Sequence, residues 1–183
     1  MKNAFIFHGA YGGPNDNWIP WLKKELEKLG YIVIVPQFPT PKNQSLKNWL
    51  NVFDKYKREI NRETIMIGHS IGATFILSVL EQFEEPVNSV YLVSGFISNL
   101  GLKEFDEINY SFYKKSFNWK NLRENCFYIF YGDGDPYVSL EEEHKLAKKL
   151  ESNVIVINKG GHLNTAAGYE KFDLLLEKIK GNS

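Results

Sequence analysis

The pentapeptide Gly68-His69-Ser70-Ile71-Gly72 sets one serine between two glycines, directly after the apolar segment Thr64-Ile65-Met66-Ile67. That spacing suits a nucleophile held in a strained turn between a strand and a helix, where small residues two positions away on either side let the two backbones approach. The chemistry implied is acyl transfer. A serine hydroxyl is a weak nucleophile near neutral pH, so a base must take its proton and an acid must orient that base.

With such an elbow on a parallel sheet, the acid and then the histidine follow in chain order, each at the carboxyl end of a later strand. Only His144 and His162 lie downstream. His162 follows the apolar run 153–157 and the turn Asn158-Lys159-Gly160-Gly161, just before the last helix, and is the expected base. His144 falls in a predicted helix over 139–150 beside Glu141, Glu142, Glu143 and Lys145, and reads as structural.

The apolar run 126–131 ends in Gly132-Asp133-Gly134-Asp135-Pro136, which offers two carboxylates at a strand end. Asp135 is the expected acid, because the turn at Asp135-Pro136 precedes a helix with Ser139 as its predicted N-cap, directing the carboxylate across the sheet toward His162. Asp133 is expected to stabilise the turn. Calcium is the competing reading, but the evenly spaced ligands and terminal glutamate of a calcium loop are missing. No metal and no cofactor are expected.

A developing oxyanion needs two donors. The backbone N–H of Ile71, following the nucleophile, is the first, and the loop 7–13 after the first strand supplies the second. Ala10 is the preferred donor there, with Tyr11 as the alternative. His8 is expected to shape this loop by hydrogen bonding, not to transfer protons. Tyr11, Trp18 and Phe96 are the candidate substrate-binding residues. Of the aromatics Phe96, Phe105, Tyr110, Phe112, Tyr113, Phe117 and Trp119, most are expected in the core and two or three against substrate.

These groups need a scaffold. Apolar runs suited to buried parallel strands recur at 3–8, 31–36, 64–68, 88–94, 126–131 and 152–158. Residues 18–29 carry Trp18, Trp21, Leu22, Leu26 and Leu29 at helical spacing, with Gly30 as the stop. Residues 45–60 repeat the pattern through Leu46, Trp49, Leu50, Phe53 and Tyr56, while 71–83 is apolar nearly all round and must be central. Only 95–125 lacks clean periodicity, so short helices and loops are expected there. Strands alternating with helices predict a three-layer α/β/α sandwich on a roughly six-stranded parallel sheet, with the site at the carboxyl ends of the strands.

The 183 residues suit one domain spanning 1–183. No internal repeat or linker breaks the pattern. With 43% hydrophobic and 24% charged residues, disorder is not expected. Twenty-two basic residues balance twenty-two acidic ones, so no global field favours nucleic acid or a membrane surface, and a neutral small-molecule substrate fits better. The single cysteine, Cys126, is expected to pack inside a buried strand. With no signal peptide or transmembrane-length segment, a cytoplasmic protein is expected, monomeric or weakly dimeric.

Taken together, Ile6-Phe7-His8-Gly9, Asn17-Trp18-Ile19-Pro20-Trp21-Leu22, Gly68-His69-Ser70, Val93-Ser94-Gly95-Phe96, Asp135-Pro136-Tyr137-Val138 and Gly160-Gly161-His162 resemble the small α/β-hydrolases of the YdeN-like family. That family is related to the retinoblastoma-binding-protein-9-type serine hydrolases, and the resemblance covers nearly the full length. It implies a minimal α/β-hydrolase fold with no large lid, lacking the first two strands of larger relatives. It also implies a triad of Ser70, Asp135 and His162 and cofactor-independent serine hydrolase activity of the kind commonly tested with short-chain esters. Ser139 after Val138 and Leu163 after His162 depart from the proline and phenylalanine frequent there, which bears on the pocket more than on the triad.

The expected function is hydrolysis of a small ester or related acyl substrate, with a rate that falls as pH drops through the range where free histidine titrates, about 6.5. A rival reading is a catalytically weak protein that uses the same fold for binding or regulation. A nucleotide cradle fits poorly, since Gly9-Ala10-Tyr11-Gly12-Gly13 lacks the Gly-x-Gly-x-x-Gly spacing and Val35-Pro36-Gln37 offers no acidic ribose ligand.

Overall fold

The structure is a computed structural model that describes residues 1–182. Six strands form one sheet: β1 (Asn3–Phe7), β2 (Ile32–Ile34), β3 (Ile65–His69), β4 (Ser89–Val93), β5 (Phe127–Gly132) and β6 (Val154–Ile157). Their order is β2-β1-β3-β4-β5-β6, with every neighbouring pair parallel. Each strand coincides with one of the apolar runs. Because side chains alternate across a strand, a continuous apolar run must find an apolar layer on both faces.

Both layers are present. Phe5, Phe7, Met66, Val90, Leu92 and Ile129 face one core, while Ala4, Ile6, Ile65, Ile67, Tyr91, Val93 and Phe130 face the other. Against the first face pack α2 (Leu46–Phe53), α3 (Ile71–Leu80), α4 (Lys103–Tyr113), the short α5 (Trp119–Leu122) and α6 (Leu140–Leu150). Against the second pack α1 (Ile19–Lys28) and α7 (Asp173–Lys180). The result is the three-layer α/β/α sandwich of the α/β-hydrolases. All ten residues of α3 are buried, as its apolar composition requires of a helix at the centre of the fold.

Three local expectations need correction. The helix expected over 45–60 ends at Phe53, and Tyr56 and Ile60 reach the same core beside a 3-10 turn, Lys57–Glu59. Residues 95–125, where short helices and loops are expected, contain a regular eleven-residue helix, α4, whose periodicity is faint because only Phe112 and Tyr113 of its apolar residues are buried. Cys126 is exposed, not packed, since it lies just before β5 begins at Phe127. No described helix is long and apolar enough to cross a membrane.

Candidate active site

Ser70 lies between β3 and α3 with φ 57° and ψ −126°, a strained conformation for a residue with a side chain. The strain follows from packing. A Cβ on Gly72 would lie 2.5 Å from the Phe7 carbonyl oxygen, and one on Gly68 would lie 2.7 Å from the Ala73 backbone. Only glycines let β1, β3 and α3 approach this closely, and the turn that results lifts Ser70 to the carboxyl end of the sheet. The Ser70 N–H donates to the Val93 carbonyl at 2.8 Å, which anchors the elbow to β4. The hydroxyl itself closes no hydrogen bond among the described residues.

Asp135 follows β5 and His162 follows β6. The His162 Nδ1–H donates to Asp135 Oδ2 at 2.7 Å, and the Asp135 side chain is fully buried. Its other oxygen, Oδ1, accepts from the Tyr137 N–H at 2.8 Å and the Val138 N–H at 3.1 Å. The carboxylate is thus held in one orientation by three donors, and it fixes the imidazole tautomer so that Nε2 keeps its lone pair. Asp133 stabilises the turn, but through its backbone: its N–H donates to Ile157 and its carbonyl accepts from Gly161, while its side chain is exposed. Ser139 caps α6 by accepting from the Glu142 N–H, so the serine found where proline is frequent closes a helix end. His144 is exposed on α6.

The loop after β1 passes close to the serine, since a Cβ on Gly9 would lie 3.0 Å from Ser70 Cβ. His8 is buried and braces this loop. Its Nδ1–H donates to the Gly9 carbonyl at 2.8 Å, and its Nε2 accepts from the Phe38 N–H at 3.0 Å. Burial lowers its pKa, consistent with a neutral ring that can both donate and accept. The Gly9 oxygen also accepts from the Gly12 N–H. Since a trans peptide sets its C=O and N–H on opposite sides, these contacts orient the Ala10 N–H away from them. The Tyr11 N–H, the alternative candidate donor, is already committed to Thr40 Oγ1 at 2.7 Å. Ile71 begins α3, so its N–H has no carbonyl one turn earlier in the helix to bond.

Ser70, Ala10 and His162 line one cavity of about 580 Å³. Its apolar wall includes Tyr11, Phe96, Leu100, Phe105 and Tyr137. The rings form a row: Tyr11 meets Phe105 edge-on at 5.7 Å, Phe105 meets Tyr137 at 5.3 Å, and Tyr137 meets His162 at 4.9 Å. Asp16 contributes the one carboxylate of the lining, and no lysine or arginine is part of it among the described residues. Of the aromatics between 96 and 119, Phe96 and Phe105 reach the cavity, while Phe112, Tyr113 and Phe117 are core.

Trp18 requires correction. It lies in the core on the opposite face of the sheet, packed on Phe172 and His69, and does not line the cavity. Its indole N–H donates to the Leu163 carbonyl at 2.9 Å. The helical spacing that marks Trp18 as apolar says nothing of which face of the sheet its helix covers. Tyr137 lines the cavity without being among the expected substrate-binding residues, and its place two residues after Asp135 is the local signal for it. His69 also reaches the cavity, and no sequence rule distinguishes it from any other residue at that position of the elbow.

One buried acid beneath the site has no assigned chemistry. Glu143 on α6 is fully buried and neither carboxyl oxygen closes a hydrogen bond. Burial raises its pKa well above the ordinary carboxylate range, the nearby Gly95 N–H offsets only part of this, and the charges of Asp135 and Glu142 add to it. The folded chain therefore holds this proton to higher pH than the unfolded chain, and the folded state loses stability as pH rises above about 4.5. Glu143→Gln is expected to raise the melting temperature by about 3 °C or more at pH 8 and to change it little at pH 4.5. Thermal melts across that range check this; an equal effect at both pH values would show that ionisation is not the cause.

With this geometry in place, the likeness to known proteins is informative. The family profile described as serine hydrolase matches residues 4–180. The chain is 26% identical to the YdeN protein of Bacillus subtilis (strain 168) over 183 residues, covering 97% of this chain and 94% of the relative. It is 27% identical to the serine hydrolase RBBP9 of Rattus norvegicus over 172 residues, covering 91% of this chain and 90% of the relative. The crystal structure of the B. subtilis ydeN gene product superposes with a TM-score of 0.90 at 26% identity, covering 100% of this chain and 98% of that one. Est1E from Butyrivibrio proteoclasticus shares the fold at a TM-score of 0.72 and 15% identity, covering 98% and 90% of the two chains.

Proposed function

The chain belongs to the serine hydrolase family, and from that premise we propose that it cleaves a small, uncharged carboxylic ester or related acyl compound through an acyl-serine intermediate on Ser70. The observation that carries this reading is the His162 Nδ1 to Asp135 Oδ2 contact of 2.7 Å, with the carboxylate otherwise locked by two backbone donors and the imidazole facing the same cavity as Ser70.

In this reading His162 Nε2 takes the Ser70 proton as Oγ attacks the substrate carbonyl. The oxyanion is held by the N–H groups of Ile71 and Ala10, and Asp135 stabilises the imidazolium. His162 then returns the proton to the leaving alcohol, and a water molecule, deprotonated by the same nitrogen, releases the acid and restores Ser70. The contact between Ser70 and His162 is open in this structure; such contacts are often long before substrate binds and tighten in the complex. The aromatic wall favours an apolar acyl group, and a lining with Asp16 but no lysine or arginine among the described residues disfavours substrates that carry a carboxylate.

The test is intact-mass analysis after treatment with a fluorophosphonate probe, together with assay of short-chain aryl esters. A single adduct mapping to Ser70, with turnover that the adduct abolishes, is expected. Folded protein that neither labels nor turns over ester would reject hydrolysis at Ser70 and leave the binding reading in front.

A further inference from the structure

The loop that carries His162 is held in an unfavourable shape. Lys159, Gly161 and Leu163 all adopt positive φ, at 53°, 54° and 48°, and two of the three have side chains. That backbone shape is ordinary for Gly161 but unfavourable for Lys159 and Leu163, whose Cβ atoms crowd the neighbouring carbonyl. A loop of this kind relaxes unless its surroundings over-determine it.

Two buried rings from distant parts of the chain do this. The His69 Nε2–H donates to the His162 carbonyl at 2.9 Å, and the Trp18 Nε1–H donates to the Leu163 carbonyl at 2.9 Å. The bonds fall on consecutive peptide units, so both rotation and translation of that stretch are restrained. The rings also pack together: His69 lies 4.8 Å from the His162 ring and 5.9 Å from the Trp18 ring, centroid to centroid. His69 is the residue immediately before Ser70. Movement of the base relative to the nucleophile must therefore break a buried hydrogen bond anchored in the elbow itself.

We propose that His69 and Trp18 are positioning residues that clamp the His162 loop and set the imidazole in register with Ser70. The inference rests on the reading of Ser70 and His162 as nucleophile and base. His69 suits the role chemically, because burial brings its pKa down to about 3, with the neighbouring His162 adding to the effect. It stays neutral wherever a histidine base works, and so donates one hydrogen bond without placing a second positive charge beside the imidazolium. A misplacement of about 1 Å in a reacting group can cost about 100-fold in rate, so a clamp on the backbone of the base acts on turnover more than on binding.

The experiment compares His69→Phe, His69→Gln and Trp18→Phe with wild type and Ser70→Ala by steady-state kinetics on a short-chain aryl ester and by the rate of fluorophosphonate labelling. Phenylalanine keeps the ring but removes the N–H, whereas the glutamine amide nitrogen can reach roughly where Nε2 stands. His69→Phe is expected to lower kcat and the labelling rate about 10–100-fold with KM within about twofold, and His69→Gln to recover kcat to within about threefold of wild type. Trp18→Phe is expected to lower kcat about fivefold with KM unchanged, and it decides the matter if His69→Phe does not fold. Wild-type kcat in the phenylalanine variants, or a glutamine variant as slow as His69→Phe, overturns the clamp alone. A folded wild type that neither labels nor turns over overturns the reading of Ser70 and the clamp with it.

Discussion

Replacement of Ser70 by alanine is expected to lower kcat/KM for short-chain esters by about 10⁵-fold and to abolish fluorophosphonate labelling, while leaving the fold intact. The two halves of this expectation have separate grounds. In the proposed mechanism the hydroxyl supplies the nucleophile, and without it only the oxyanion donors and the cavity remain to assist attack by water, a residual contribution of about 10³–10⁴ over the uncatalysed rate. A loss of that size corresponds to about 7 kcal/mol of transition-state stabilisation. The structural side is quieter. Ser70 Oγ closes no hydrogen bond among the described residues, and alanine carries the same Cβ into the same strained turn at φ 57°. The variant should melt within about 2 °C of wild type. Turnover within tenfold of wild type would reject Ser70 as the nucleophile.

Asp135→Asn should be nearly as damaging, through tautomer control more than through charge. The Tyr137 and Val138 N–H groups both point at Oδ1, so an asparagine in this pocket must place its carbonyl oxygen there. Its NH2 group then occupies the position of Oδ2 and faces His162 Nδ1, which is 2.7 Å from that oxygen in the native chain. Two donors cannot share that contact. The imidazole must accept at Nδ1 and carry its proton on Nε2, which removes the lone pair that the proposed proton transfer from Ser70 needs. Reversing the amide would restore the tautomer but set two N–H groups against an NH2. The expected loss in kcat is about 10⁴-fold with KM changed little. Steady-state kinetics beside a thermal melt checks it, and a loss below tenfold would mean that the carboxylate does not orient the base.

Much of this was legible in the sequence because it is encoded locally. Six apolar runs became six strands, since a strand buried on both faces needs an unbroken apolar stretch and little else does over so few residues. The elbow was legible for a similar reason: two glycines flanking a serine after such a run have a steric use, and the contacts at Gly68 and Gly72 show it. That Asp135 and not Asp133 reaches His162 followed from Pro136 and the cap at Ser139, both within four residues of it.

The remainder depended on which groups the fold brings face to face. Helical spacing marks Trp18 as buried, but only the packing of α1 on the face away from α3 turns it from a candidate pocket residue into a partner of Leu163. That the Tyr11 N–H, one of the two candidate donors, is occupied depends on Thr40, 29 residues away in sequence. Phe105 and Tyr137 become one wall because α4 crosses above the acid turn, and neither position carries a local mark of the other. His69 shows the limit most plainly: its place beside Ser70 is a matter of sequence, while its bond to the His162 carbonyl spans 93 residues. Burial and turn geometry are properties of a few adjacent residues and can be read from them, whereas the partner of a given hydrogen bond depends on how distant segments pack, and that the tertiary structure alone decides.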